Sequence, residues 1–287
     1  VSVGQAGLPP YPLMMALRVL EGVSHLAIVV VGPVVIAGAA SVAWQGAAMT
    51  LWSTFFGLTY ALLAVLAPPL LAFGGAGALF LAHGGWMLAC ACLLTLLLPR
   101  DVGAGARTHA GGRGEGLVAQ HLAIYASPRV AAPALGFVFY TAIYVAILTL
   151  LPPLLPQGWR GPVAAGMPIV SILVSLTLGV WLLPRLGPVR VVQVGFGAGA
   201  MGLAAAMGLA QGASFAAIPA LNEAPADRAR AAGAIAQMGN LGTTTGTPLL
   251  ALMVAGMGPV GIVAFTLPLC LCGIATHGWL SRRRALS

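Results

Sequence analysis

The sequence predicts an all-α membrane protein, a polytopic bundle of about nine membrane-spanning helices, on three observations. Of its 287 residues, 60% are hydrophobic and only 6% charged, against about 25% charged in water-soluble domains. A domain this apolar lacks the polar surface to cover itself, so lipid is the solvent for most of its side chains. Apolar runs of about 20 residues, the length that crosses a bilayer, recur along the chain. The net charge of +8 comes from thirteen arginines with no lysine. They sit in short loops between the apolar runs, which is the pattern of membrane topology and not of a phosphate-binding face. The partner implied is a lipid bilayer, and nucleic acid is excluded.

Taken in order, the spans fall at 12–38, 47–71, 78–98, 131–156, 163–184, 232–256 and 259–280. The run 188–221 suits either two short crossings or one long one. The positive-inside rule decides. Two crossings, with a turn near Ala210–Ser214, place eleven of the thirteen arginines on the cytoplasmic side with Arg160 outside and Arg18 within a span. One crossing would put Arg228, Arg230 and Arg282–Arg284 outside. The count is then nine, with a cytoplasmic C terminus. The Gly- and Arg-rich stretch 99–130 reads as a flexible cytoplasmic linker. It divides a three-span bundle, 1–98, from a six-span bundle, 131–287. The N terminus falls outside, and Val1 is preceded by neither a methionine nor a basic leader. Leading helices are therefore expected to be missing.

Three stretches carry a family resemblance. Arg18-Val-Leu-Glu21-Gly22 opens a span as an Arg-x-x-x-Gly signature. Gly179-Val-Trp-Leu-Leu-Pro-Arg185-Leu-Gly187 has the form of a loop motif between two spans. Gly212-Ala-Ser-Phe-Ala-Ala-Ile-Pro219 through Gly239-Asn240-Leu-Gly242 completes the order. Together they resemble helices four to twelve of the bacterial major facilitator superfamily, without its first three helices. The resemblance implies two bundles and a secondary transporter that moves a small solute by alternating access across the bacterial inner membrane. Where that family's antiporters carry Gly-Pro in the fifth helix, this chain has Ala67-Pro68-Pro69, so the direction of transport stays open. A transport-incompetent packing partner for another membrane protein is the alternative. An intramembrane enzyme is disfavoured, because no nucleophile–base pair stands out.

The candidate residues follow from spacing. Arg18, Glu21 and His25 lie at i, i+3 and i+7, on one helix face. Charges inside a span cost roughly 2.5–3.5 kcal/mol at the bilayer centre and normally face protein or a watery cavity. This stripe is either a proton relay, with His25 able to titrate near neutrality, or an ion pair that locks packing; protons are thus a candidate partner. Tyr140 and Tyr144 are one turn apart, ahead of Pro152, Pro153 and Pro156, and either line a cavity or serve packing or interfacial roles. Gln237, Asn240 and Thr244 form a polar stripe flanked by Gly239, Gly242 and Gly246, as helix glue or as solute contacts. Gly195 and Gly199 fit a helix-contact motif. Cys90/Cys92 and Cys270/Cys272 point about 200° apart on their helices and cannot clamp a metal. No catalytic residue, metal or cofactor is expected. His83 and Trp86 are assigned to the outer boundary, and His109 and His121 to the solvated linker.

Overall fold

The computed structural model describes residues 1–97, 116–199 and 203–286. These residues are helical almost throughout, with no strand among them. In chain order the helices are α1 (Ser2–Ala6), α2 (Tyr11–Ala39), α3 (Gln45–Ser53), α4 (Phe55–Leu97), α5 (Leu117–Ala126) and α6 (Ala131–Leu154). They continue as α7 (Gln157–Val174), α8 (Val180–Leu186), α9 (Pro188–Gly199), α10 (Leu203–Leu221), α11 (Pro225–Met257) and α12 (Val260–Ala285), with a π turn over Ser175–Gly179 between α7 and α8. Five stretches are long and apolar enough to cross a membrane: Tyr11–Ala39, Gln45–Leu97, Ala131–Leu154, Gln157–Leu186 and Val260–Ala285.

α4 crosses twice. A straight helix of its 43 residues would be about 64 Å long, twice the hydrocarbon core. The helix breaks at Gly74 and Gly75, where φ of Gly75 is +63°, a conformation that side chains with a Cβ rarely adopt. Beyond the break the chain packs on α1 and reaches α2 through side chains: Phe80 lies against Arg18 and His83 near Glu21. The span expected at 47–71 is also broken, at Thr54, where the Ser53 and Thr54 hydroxyls donate to carbonyls three residues back.

The run 188–221 turns back on itself, as the arginine distribution requires, but not where the sequence predicts. Ala210–Ser214 lies inside α10. The two arms are antiparallel, since Gly195 packs on the Ala206–Ala210 backbone and Gly199 on Met207. α9 has 12 residues, or about 18 Å, short of the roughly 30 Å core. Gly199 meets Cys270, ten residues inside α12 from Val260, or about 15 Å from that end.

α6 is the hub. Sixteen of its 24 residues are buried, whereas the apolar window of Gln45–Leu97 has none buried; the latter presents leucines to lipid and the former to protein. α11 lies along α6, where a Cβ on Gly242 or Gly246 would overlap Thr141 Oγ1 and the Val138 and Ala142 backbone. α2 packs on α11, α3 on α10, and the first limb of α4 on α7. Of the stretch 99–130, residues 99–115, including His109, lie outside the described residues. From Leu117 to Ala126 it is helix, not open coil, because Ile124 and Tyr125 pack against the core.

Candidate functional site

A cavity of about 190 Å³ lies among α2, α4, α6, α10 and α11. His25 is its α2 contribution, fourteen residues from either end of that helix, hence at mid-depth. α6 supplies Phe137, Tyr140 and Thr141, α10 supplies Gln211 and Phe215, and α11 supplies Asn240 and Thr243; Phe55 and Phe56 close the α4 side. The rings interlock. Phe137 sits 5.1 Å from Tyr140 and edge-on to Phe215 at 5.3 Å, and Tyr140 stacks on Tyr144 at 5.4 Å. Such pairs are favoured by ring quadrupoles and fix side-chain positions. Among the lining residues there is no Asp, Glu or Arg. The Tyr140 hydroxyl is buried without a hydrogen-bond partner, a state that costs about 1–3 kcal/mol.

The structure thus brings together His25, Tyr140 and Asn240, and separates them from Arg18 and Glu21. Those two belong to a polar cluster nearer the start of α2. Arg18 Nη1 donates to Glu21 Oε2 at 2.7 Å and Gln5 Nε2 donates to the same oxygen at 3.0 Å. His83 Nδ1 stands 4.0 Å from Glu21 Oε1 and 2.9 Å from Ser2 Oγ. The Arg18 guanidinium lies over the Phe80 ring at 5.3 Å. His83 is accordingly part of a charged cluster, whereas Trp86 is exposed. The i, i+3, i+7 spacing is real, but α1 and the second limb of α4 cover only its first two members.

Tyr144 does not reach an interface; it is fully buried behind Tyr140. Gln237 sits at the arginine-rich end, where Tyr125 donates to its Oε1 at 2.8 Å and its Nε2 meets His121 Nε2 at 2.8 Å. Burial pushes the Tyr125 phenol up, which keeps it a hydrogen-bond donor. His121 is exposed, as expected of a solvated residue, and its ring also meets Gln237 of the bundle. In α11 the glycines, and not the amides, make the close contact with α6, and Asn240 and Thr244 are exposed at the residue level. Sequence spacing passed over Phe55, Phe56, Phe215 and Gln211. The first three looked like ordinary apolar filler. Gln211 was a lone amide in an apolar run, yet it is 4% exposed and donates to the Ser53 carbonyl.

A larger depression of about 520 Å³ lies at the arginine-rich end, lined by Arg129, Asn222, Glu223, Asp227 and Arg230. Three of its polar side chains are already engaged: Arg230 pairs with Asp227 at 3.2 Å, and Asn222 donates to the Ile218 carbonyl at 2.9 Å. The smaller mid-depth cavity, walled by segments from both parts of the chain, is the better candidate for a site. No group of three metal-ligating side chains occurs among the described residues. The model of the Major Facilitator Superfamily matches residues 1–215. No curated protein matches the chain.

Proposed function

The chain belongs to the major facilitator superfamily and is an integral membrane transporter, and from that premise we propose that it moves a small solute by alternating access through the cavity at mid-depth. The supporting observation is the cavity's walls. His25, Phe55 and Phe56 come from the segment 1–98, and Tyr140, Gln211 and Asn240 from 131–287. Rocking of those two units about this point would open it to each face in turn. The proposed setting is the bacterial inner membrane, with the C terminus cytoplasmic.

Proton coupling is part of the proposal. Glu21 is one helical turn from His25 and is faced by Arg18 on its own helix, by Gln5 from α1, and by His83 from α4, which Ser2 of α1 meets in turn. Protonating Glu21 would release Arg18 and loosen α1 and α4 from α2, linking a proton to the position of those helices.

The test needs no knowledge of the solute. In a cysteine-free background, Asn240→Cys in sealed vesicles is expected to react with a membrane-impermeant maleimide added from either side. Labelling from one side only, under all conditions, would overturn alternating access.

A further inference from the structure

The volume and lining of the cavity restrict what it can hold. A cavity of about 150 Å³ lined by apolar side chains accommodates benzene, so about 190 Å³ has room for one ring with a small substituent. Five aromatic side chains, Phe55, Phe56, Phe137, Tyr140 and Phe215, contribute to the wall. Phe137 lies edge-on to Phe215 at 5.3 Å and tilted to Tyr140 at 5.1 Å. Edge-on and tilted rings present both π-faces and positive edges, which is the environment an aromatic guest prefers over an aliphatic one of equal size.

Charge narrows the choice further. A charged solute taken into an apolar chamber needs a partner of opposite sign. The lining holds neither a carboxylate nor a guanidinium, and Glu21, the acid on the same helix, is engaged by Arg18 and Gln5. A protonated His25 would repel a cation. Polar groups without charge are present: the Asn240 and Thr243 side chains. They suit a hydroxyl or amide substituent.

We propose that the solute is an uncharged, single-ring aromatic compound bearing one small hydrogen-bonding substituent. The proposal rests on the assignment of this cavity as the solute chamber. The probe is 4-fluorophenol, observed by fluorine NMR with the full chain in nanodiscs, the signal of protein-free nanodiscs being subtracted. Saturable binding is expected. p-Cresol should displace the probe, whereas 4-methylcyclohexanol, naphthalen-2-ol and tetramethylammonium should not.

Phe215→Leu should weaken binding about fivefold to tenfold, the usual worth of one aromatic contact. Phe56→Leu, a half-buried position whose exchange spares the core, should do the same, and Phe73→Leu, 89% exposed, should change nothing. Displacement by 4-methylcyclohexanol as strong as by p-cresol, displacement by tetramethylammonium, or unsaturable binding would each overturn the proposal. The two readings fail separately. Two-sided labelling at Asn240→Cys without phenol binding removes the solute class and leaves transport standing. Saturable phenol binding with one-sided labelling does the reverse.

Discussion

Glu21 is held by groups from three separate segments, α1, α2 and the second limb of α4, and that sets what its replacement should do. The Arg18–Glu21 pair is partly exposed, at 48% and 26%, so it contributes at most about 1 kcal/mol to folding. Arg18, seven residues inside α2 or about 10 Å from its start, can extend to the interface without a partner. Glu21→Gln is therefore expected to leave the thermal unfolding midpoint in detergent almost unchanged. It should flatten the dependence of transport on pH. A lowered midpoint with a normal pH profile would make the cluster a packing device instead. The opposite balance holds at Gly242, where Gly242→Ala should destabilise by about 1–3 kcal/mol through overpacking against α6. Gly256→Ala, in the same helix with nothing within 4 Å, should be neutral or slightly stabilising; equal effects at the two sites would contradict the α6–α11 contact. Gly242, with Gly239 and Gly246, was legible as a glycine permitting approach. That the polar stripe beside them faces elsewhere was not, because spacing gives the angle between residues but not which face meets which neighbour.

At the level of elements, the sequence marked α2, both limbs of α4, α6, α7–α8 and α12 correctly, since each is an unbroken apolar run with Gly, Pro or Arg at its ends. It misplaced the turn in 188–221. Gln211, Gly212 and Ser214 are the polar and flexible residues of that run, which is why they resembled a turn. In the structure they serve packing deep in the bundle: Gln211 donates to the Ser53 carbonyl, Gly212 abuts Ser175 and Thr50, and Ser214 Oγ donates to the Ala210 carbonyl at 2.7 Å. Small polar groups bonding to backbone let helices approach in lipid, so the same residue types signal a turn in water and a contact in a membrane. Proline separates the two. Ser214→Pro in a helix interior should cost about 3 kcal/mol or more and abolish monodisperse protein. A variant that purifies with an unchanged unfolding midpoint would restore the turn to 210–214. The cavity aromatics were not legible for a related reason: in an apolar chain a phenylalanine facing a chamber and one facing lipid share a composition, and only packing tells them apart.

For the whole molecule, the arginines give the strongest constraint. Arg284 donates to the Pro128 carbonyl at 3.1 Å, and Arg129, Arg230 and Asp227 line one depression. A neighbouring depression is lined by Trp44, Leu183, Pro184 and Ala220, beside Arg185. These residues come from the ends of α2, α8, α10 and α12 and from the starts of α6 and α11, so six helix termini meet at one end of the bundle. Arg160, which donates to the Leu155 carbonyl, lies where α6 passes into α7, a helix length away. Helices that start and finish this way require an even number of passages between residue 187 and residue 223, and the antiparallel α9–α10 pair meets that requirement. Retention of cationic loops on the cytoplasmic face then orients the bundle. The expectation is that Ala224→Cys and Ala285→Cys, in a cysteine-free background, react with an impermeant maleimide only in inverted vesicles, and Gly158→Cys only in intact cells. Labelling of Ala224→Cys and Ala285→Cys from opposite faces would break the hairpin, and with it the arrangement of α10 that brings Gln211 and Phe215 into the cavity.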